Sequence, residues 1–374
     1  MDIPDSIVNH DTKILWSRLQ DQPISLQPLP HPVYFVCNDP DLCEKFAHVS
    51  EMPNFEHFYR PERGGSCSWI VQTYLQLKCR GLDVRLVSQY IPDAICVVAR
   101  EELMKKRLLK SLPFRSYLVV CQQDRPRPFI CEHRVVQNLC NVLDEMDHFL
   151  PLWSQPDLKK RAPQRGNLVK NLVFKGRFYY LPQTYKSPAF LEQLQALGFC
   201  FFLREDYSPD IKDWMDYFEA DVALAIRHTP QLYLESKPAS KLINAWFAGC
   251  PALLGPEPAY QALRQSELDY IEINSPEDVL QALQQLRDEP GLYRAMVENG
   301  WRRAQDFTPE KIAGLWRNLL AGPIASGYEQ WKQQSFIQKK INRPLQFTYR
   351  LMKQERERRR FNLLTGRTKL YRSK

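Results

Sequence analysis

Residues 235–256 read Glu235-Ser-Lys-Pro-Ala-Ser-Lys-Leu-Ile-Asn-Ala-Trp-Phe-Ala-Gly-Cys-Pro-Ala-Leu-Leu-Gly-Pro256. Pro238 suits a first helical turn, where its missing N–H is no loss. Leu242, Ile243, Ala245, Trp246 and Phe247 supply a helix that packs on a sheet. Gly249 ends that helix and Pro251 bars its continuation. Ala252-Leu253-Leu254 is the short apolar run of a buried parallel strand. Lys237, Ser240, Lys241 and Asn244 then fall at the helix N-terminus. Backbone N–H groups and the helix dipole favour negative charge there, by roughly 0.3–1 kcal/mol per group. Two lysines added to that dipole make a seat for a diphosphate.

The same alternation extends in both directions. Val33 to Cys37, Val84 to Val87, Ile95 to Ala99, Tyr117 to Cys121 and Arg134 to Asn138 predict strands in the first half. Helices are expected over Ser68 to Cys79, after Gly64-Gly65-Ser66, and over the basic stretch Glu101 to Leu112. The polar stretch Lys159 to Asn167 reads as a linker. Beyond it the pattern restarts, with strands at Leu172 to Lys175, Cys200 to Leu203, Asp221 to Arg227 and Tyr270 to Ile273. Helices are expected at Pro188 to Leu197, Ile211 to Glu219, Ser275 to Arg287 and from Pro309. Strands alternating with helices at this spacing predict an α/β protein of two Rossmann-like, doubly wound parallel-sheet domains facing a cleft. The expected division is 1–160, 161–320, and a helical segment with a basic tail over 321–374.

The net charge of +8 is concentrated at one end. Residues 337–374 hold 13 Lys or Arg against 2 Glu, while the rest of the chain is nearly neutral. Such a tail, with Arg356, Arg358, Arg359, Arg360, Leu363 and Leu364, can lie on an anionic bilayer or form a solvated helix. No stacking or groove-reading module accompanies it, so nucleic acid is not an expected partner. No run of about 18 apolar residues predicts a membrane span, and Met1 to Leu29 has no secretory-leader pattern. The ten cysteines are scattered without C-x-x-C spacing, which suits reduced, buried thiols in a cytoplasmic chain.

These motifs together resemble the GT-B class of glycosyltransferases, and the second half resembles the group 1 nucleotide-sugar-dependent enzymes. The matching parts are Phe174-Lys175-Gly176-Arg177, the Lys237-x-x-x-Lys241 helix start, Asn244-Ala245-Trp246-Phe247-Ala248-Gly249-Cys250-Pro251, and Gly64-Gly65-Ser66 before a helix. The resemblance spans roughly 33–320. It implies that Lys175, Arg177, Arg227, Lys237, Ser240 and Lys241 neutralise the diphosphate of a nucleoside-diphosphate-sugar. Asn244 and Glu257 would lie near the ribose or sugar, and Gly64 and Gly65 would belong to the acceptor-side loop. Charge building on the departing diphosphate would be met by fixed cations and dipoles, with no metal and no cofactor beyond the sugar nucleotide. Leu242 stands where many retaining members carry a second glutamate after Glu235, so the stereochemistry stays open.

If configuration inverts, the acceptor hydroxyl needs a base. Asp124, His133 and His57 are the candidates, and Asp124 is favoured because it follows a strand. Arg125 and Arg127 nearby also suit Asp124 to a salt bridge. Likewise, Arg227 could serve in a structural ion pair, and Gly64-Gly65 could mark a turn needing positive φ. The implied activity is sugar transfer to a glycan or lipid-linked acceptor in polysaccharide or envelope synthesis, at the inner face of a membrane. A nucleotide-sugar epimerase and a non-catalytic nucleotide-sugar binder are the alternatives.

Overall fold

A computed structural model describes residues 18–19, 26–60, 64–104, 113–203 and 212–366. They form two compact units. One holds Ser154–Thr229 and Ala239–Thr308. The other holds the described parts of Asp21–Trp153, together with Pro230–Pro238 and the described part of Pro309–Lys374. The division is not one of consecutive blocks. The chain returns to the first-half unit at Pro230–Pro238 and again after Thr308, so the C-terminal helices pack with the N-terminal sheet.

The first-half unit is built on β1 (Val33–Val36), β2 (Val84–Val87), β3 (Ile95–Ala99), β4 (Tyr117–Cys121), β5 (His133–Val136) and β6 (Asp147–Phe149). All neighbours are parallel, in the order β2-β1-β3-β4-β5-β6. β3 and β4 are buried at every position, as continuous apolar runs covered on both faces must be. Gly64–Ser66, Cys67–Val71 and Gln72–Lys78 run on as one helix with a π turn in its middle. It therefore begins four residues before its expected start.

The second unit holds β7 (Asn171–Phe174), β8 (Cys200–Phe202), β9 (Val222–Ala225), β10 (Ala252–Leu254) and β11 (Ile271–Glu272), parallel in the order β11-β10-β9-β7-β8. The helix Ser240–Ala248 precedes β10 and ends at Gly249, whose φ of +70° is the left-handed cap expected of a glycine. A side chain at Gly249 would also strike the indole of Trp301, 2.8 Å from where its Cβ would stand. Ser275 closes a capping box on the helix Pro276–Asp288.

The stretch read as a linker is instead a strap held by buried ions. Arg161 and Arg165 bond the carboxylate of Asp221 at 2.7–2.8 Å, and the amides of Lys170 and Asn171 donate to the same group. β6 and the helix Pro290–Ala304 were not expected, whereas the long helix Arg343–Leu364 falls in the helical segment and basic tail expected over 321–374. The expected helix over 211–219 is a single turn, Lys212–Met215. Glu101 to Met104 form a turn, and the remainder of the basic helix expected there lies outside the described residues. All ten cysteines are free thiols. Among the described residues no helix is long and apolar enough to cross a membrane.

Candidate active site

In an open parallel sheet, ligands bind beyond the C-terminal strand ends, where the chain reverses its winding direction. In the five-stranded sheet that point lies between β7 and β9, since β8 is added on one side and β9 on the other. Lys175, Gly176 and Arg177 leave β7 there, Arg227 follows β9, and Gly255-Pro256-Glu257 follows β10. Arg177 is exposed just past the strand. Gly176 is required by close approach, because a Cβ there would stand 2.6 Å from the ring of Phe174.

Arg227 and Glu257 form a tight ion pair with side chains only 10% and 2% exposed. Arg227 Nη1 donates to Glu257 Oε2. The other carboxylate oxygen, Oε1, is buried without a hydrogen-bond partner. Buried acceptors left this way cost about 1–3 kcal/mol each, which marks a place where a ligand hydroxyl would be welcome. The structural reading of Arg227 and the binding reading of Glu257 thus meet in one pair.

The helix Ser240–Ala248 starts at Ser240, not at Pro238. Lys241 sits in its first turn, nearly buried, with its ammonium 5.7 Å from the ring centre of Trp214. Asn244, one turn on, is buried and its Oδ1 has no partner. Two expected lysines are engaged elsewhere. Lys175 is buried, donates to the carbonyl of Asp216 at 2.6 Å and lies over the ring of Tyr217. Lys237 precedes the helix and belongs to the other unit, where its ammonium pairs with Asp124 over the ring of Tyr233. A lysine that follows a short helix, Gln231–Leu234, rather than opening the next one has no share in that helix's dipole.

Asp124 follows β4 in the six-stranded unit. It accepts from Lys237 Nζ at 2.5 Å and from Gln137 Nε2 at 2.7 Å. Gln137 is itself fixed by the indole of Trp69 and the carbonyl of Ser236. Burial opposes ionisation of Asp124, but the adjacent ammonium and the two hydrogen bonds outweigh it and lower its pKa to about 2. A carboxylate so stabilised is a poor proton acceptor near neutrality. Asp124 is therefore an anchor for Lys237, and its expected role as a base is corrected.

His133 is corrected by topology. It is the first residue of β5, so it lies at the N-terminal edge of a parallel sheet, away from the ligand end. Its ring lies between the Tyr117 hydroxyl at 2.7 Å and His148 at 2.9 Å. Burial and the neighbouring His148 lower its pKa to about 4, so it is neutral in the fold. His57 is exposed on the single turn Phe55–Phe58.

Gly64 and Gly65 lie inside the first helical turn with ordinary negative φ, so they are not a loop. Their role is close approach. A Cβ on Gly64 would stand 2.8 Å from the Tyr59 hydroxyl, and one on Gly65 3.2 Å from the carboxamide of Gln123. Gln123 escaped the sequence reading. It sits two residues after the end of β4 with φ of +58°, and both polar atoms of its buried carboxamide lack a hydrogen-bond partner. A left-handed non-glycine residue at a C-terminal strand end points to a site. The polar Gln122-Gln123-Asp124 run after an apolar strand was the available signal. Among the described residues, no three His, Cys, Asp or Glu side chains cluster to hold a metal ion.

No protein-family model matches this chain, and no curated protein sequence matches it. Among solved structures it is similar to the sucrose-phosphate synthase of Thermosynechococcus elongatus, at 12% identity and a TM-score of 0.50, over 80% of this chain and 100% of that one. Anabaena HepE in complex with UDP matches at 11% identity and a TM-score of 0.42, over 79% and 100%. The pneumococcal O-GlcNAc transferase GtfA in complex with UDP and GlcNAc matches at 14% and 0.43, over 64% and 57%. At such identities the likeness is one of architecture: this chain has the two-sheet α/β fold of the GT-B glycosyltransferases.

Proposed function

We propose that this chain is a glycosyltransferase that moves a sugar from a nucleoside-diphosphate-sugar to a hydroxyl of a glycan or lipid-linked acceptor, in polysaccharide or envelope glycan synthesis at a membrane's cytoplasmic face. The observation that carries the reading is the convergence of Arg177, the Arg227–Glu257 pair and the Lys241 helix start on the C-terminal edge of the five-stranded sheet. Arg177, Lys241 and the amides of the helix start would take the diphosphate. Glu257 Oε1 and Asn244 Oδ1, acceptors without partners, would take ribose or sugar hydroxyls. As the bond between anomeric carbon and phosphate breaks, negative charge grows on the diphosphate, and preorganised cations stabilise it there. Ser240, beside Lys241, completes the seat, whereas the ammonium of Lys175 is held by the carbonyl of Asp216 and Lys237 is paired with Asp124 in the other unit.

The account needs no metal ion, so transfer should survive EDTA. The direct test is release of nucleoside diphosphate from UDP-, GDP-, dTDP- and ADP-sugars in the presence of a lipid-linked or oligosaccharide acceptor. Release that depends on acceptor supports transfer. Binding without release would favour a non-catalytic sugar-nucleotide protein, and a changed sugar on an intact nucleotide would favour an epimerase.

A further inference from the structure

The C-terminal helix Arg343–Leu364 docks by a mixed face, with Phe347 and Phe361 packed against the protein beside Arg350 and Gln354, and still leaves an apolar stripe facing out. Arg350 pairs with Glu132, and the Gln354 Oε1 accepts the amides of Phe129 and Ile130. Phe361, two turns beyond, is buried. These residues, with Phe347 and with Arg343 stacked 3.6 Å from the ring centre of Trp331, fall on one side of the helix and fix the inner face. The opposite face carries Leu345, Tyr349 and Met352, and the row extends back through Ile341 and Ile337 in the helical turn Gln338–Asn342 and its N-cap; the spacing is four, four, four and three, and each is between 52% and 65% exposed. The same stripe continues through Arg356 and Arg359 to Leu363, which is 74% exposed.

Docked along one side, this helix is not the frayed, solvated tail weighed from its sequence. Its inward apolar side chains, Phe347 and Phe361, already meet the protein as in any docked helix, so a second, exposed apolar row five residues long marks an interaction surface. Its flanks identify the partner. Lys340, Arg356, Arg359 and Arg360 are all exposed, the last two at 80% and 68%. Apolar residues centred between basic ones match the acyl and headgroup layers of an anionic bilayer. We infer that the Ile337–Met352 face of the C-terminal helix seats the six-stranded unit on an anionic membrane surface, lying in the interface without crossing it. This deepens the membrane-face reading above but does not depend on sugar transfer.

The test is flotation of the full chain with vesicles of phosphatidylcholine alone and with 30% phosphatidylglycerol. Wild type should float with the anionic vesicles and much less with the neutral ones. The triple variant Ile341→Asn, Leu345→Asn, Met352→Asn should lose at least about tenfold in partitioning. Arg356→Glu with Arg359→Glu should lose about fivefold per charge on anionic vesicles only. All these positions are exposed, so an unchanged melting temperature and sugar-nucleotide binding confirm an intact fold. Equal flotation of wild type and both variants overturns the inference. So does a wild-type dimer in analytical ultracentrifugation that the triple variant dissociates without changing flotation, which would assign the stripe to a second copy of the chain. Loss of sugar-nucleotide binding in wild type with flotation intact would instead count against the transferase reading alone.

Discussion

The two ends of β9 carry buried ion clusters of opposite character. Before the strand, Asp221 is fully buried and takes bonds from Arg161, Arg165 and two backbone amides. After it, Arg227 holds one oxygen of Glu257 and leaves the other without a partner. In the first cluster both oxygens of the carboxylate are satisfied, and it serves the fold. The second keeps an acceptor in reserve at the sheet edge where ligands bind, and that difference separates structural charge from functional charge within four residues of strand.

The contrast breaks if both ends respond alike to substitution. Asp221→Ala strands two arginines in the interior and should cost about 3–5 kcal/mol of stability, read by chemical denaturation. Glu257→Gln removes the countercharge but keeps a carbonyl acceptor for Arg227, so it should cost less stability than Asp221→Ala while weakening stabilisation by sugar nucleotide. Equal destabilisation by the two would erase the distinction.

The next largest effect concerns the donor seat. Arg177→Ala and Lys241→Ala should each weaken donor binding by about 1.5–3 kcal/mol, the worth of a hydrogen bond to a charged group. Lys175→Ala, whose ammonium is held by a carbonyl, should act on melting temperature more than on affinity.

Asp124 sharpens the comparison from the other unit. Loss of a true base costs 10²–10⁴-fold, whereas Asp124→Asn should lower the rate by about tenfold or less. The pH sign agrees. A carboxyl lowered from 3.8 to about 2 lends stability above its ordinary value and loses it as pH falls through that window. Activity should therefore show no acidic limb belonging to Asp124 near neutral pH.

The smallest effect is at His133. A histidine held neutral, with its pKa lowered from 6.5 to about 4, makes the unfolded chain the better proton binder between those values. Stability should fall as pH drops across that range, and His133→Gln should flatten the fall.

Much of this was legible in the chain itself. Apolar runs located ten of the eleven strands within a residue or two, β5 among them, and Gly249 and Ser275 gave helix ends through backbone chemistry alone. β6 was hidden because Asp147 opens it, a buried carboxylate whose cations, Arg127 and Arg134, lie far back in sequence. β11 was recognised but is only two residues long. The site was less legible for the same reason. Lys237 and Asp124 are separated by 113 positions, and no local pattern shows that one neutralises the other. Arg227 and Glu257 were both singled out, yet only their pairing reveals which oxygen is left for a ligand.

The central claim is that the C-terminal edge of the five-stranded sheet grips a nucleoside diphosphate. Isothermal titration with UDP-, GDP-, dTDP- and ADP-sugars on wild type and on the Arg177→Ala, Lys241→Ala double variant tests it most directly. The account predicts saturable binding of at least one donor, reduced more than a hundredfold in the double variant with the melting temperature little changed. Donor affinity equal in the two proteins would contradict it.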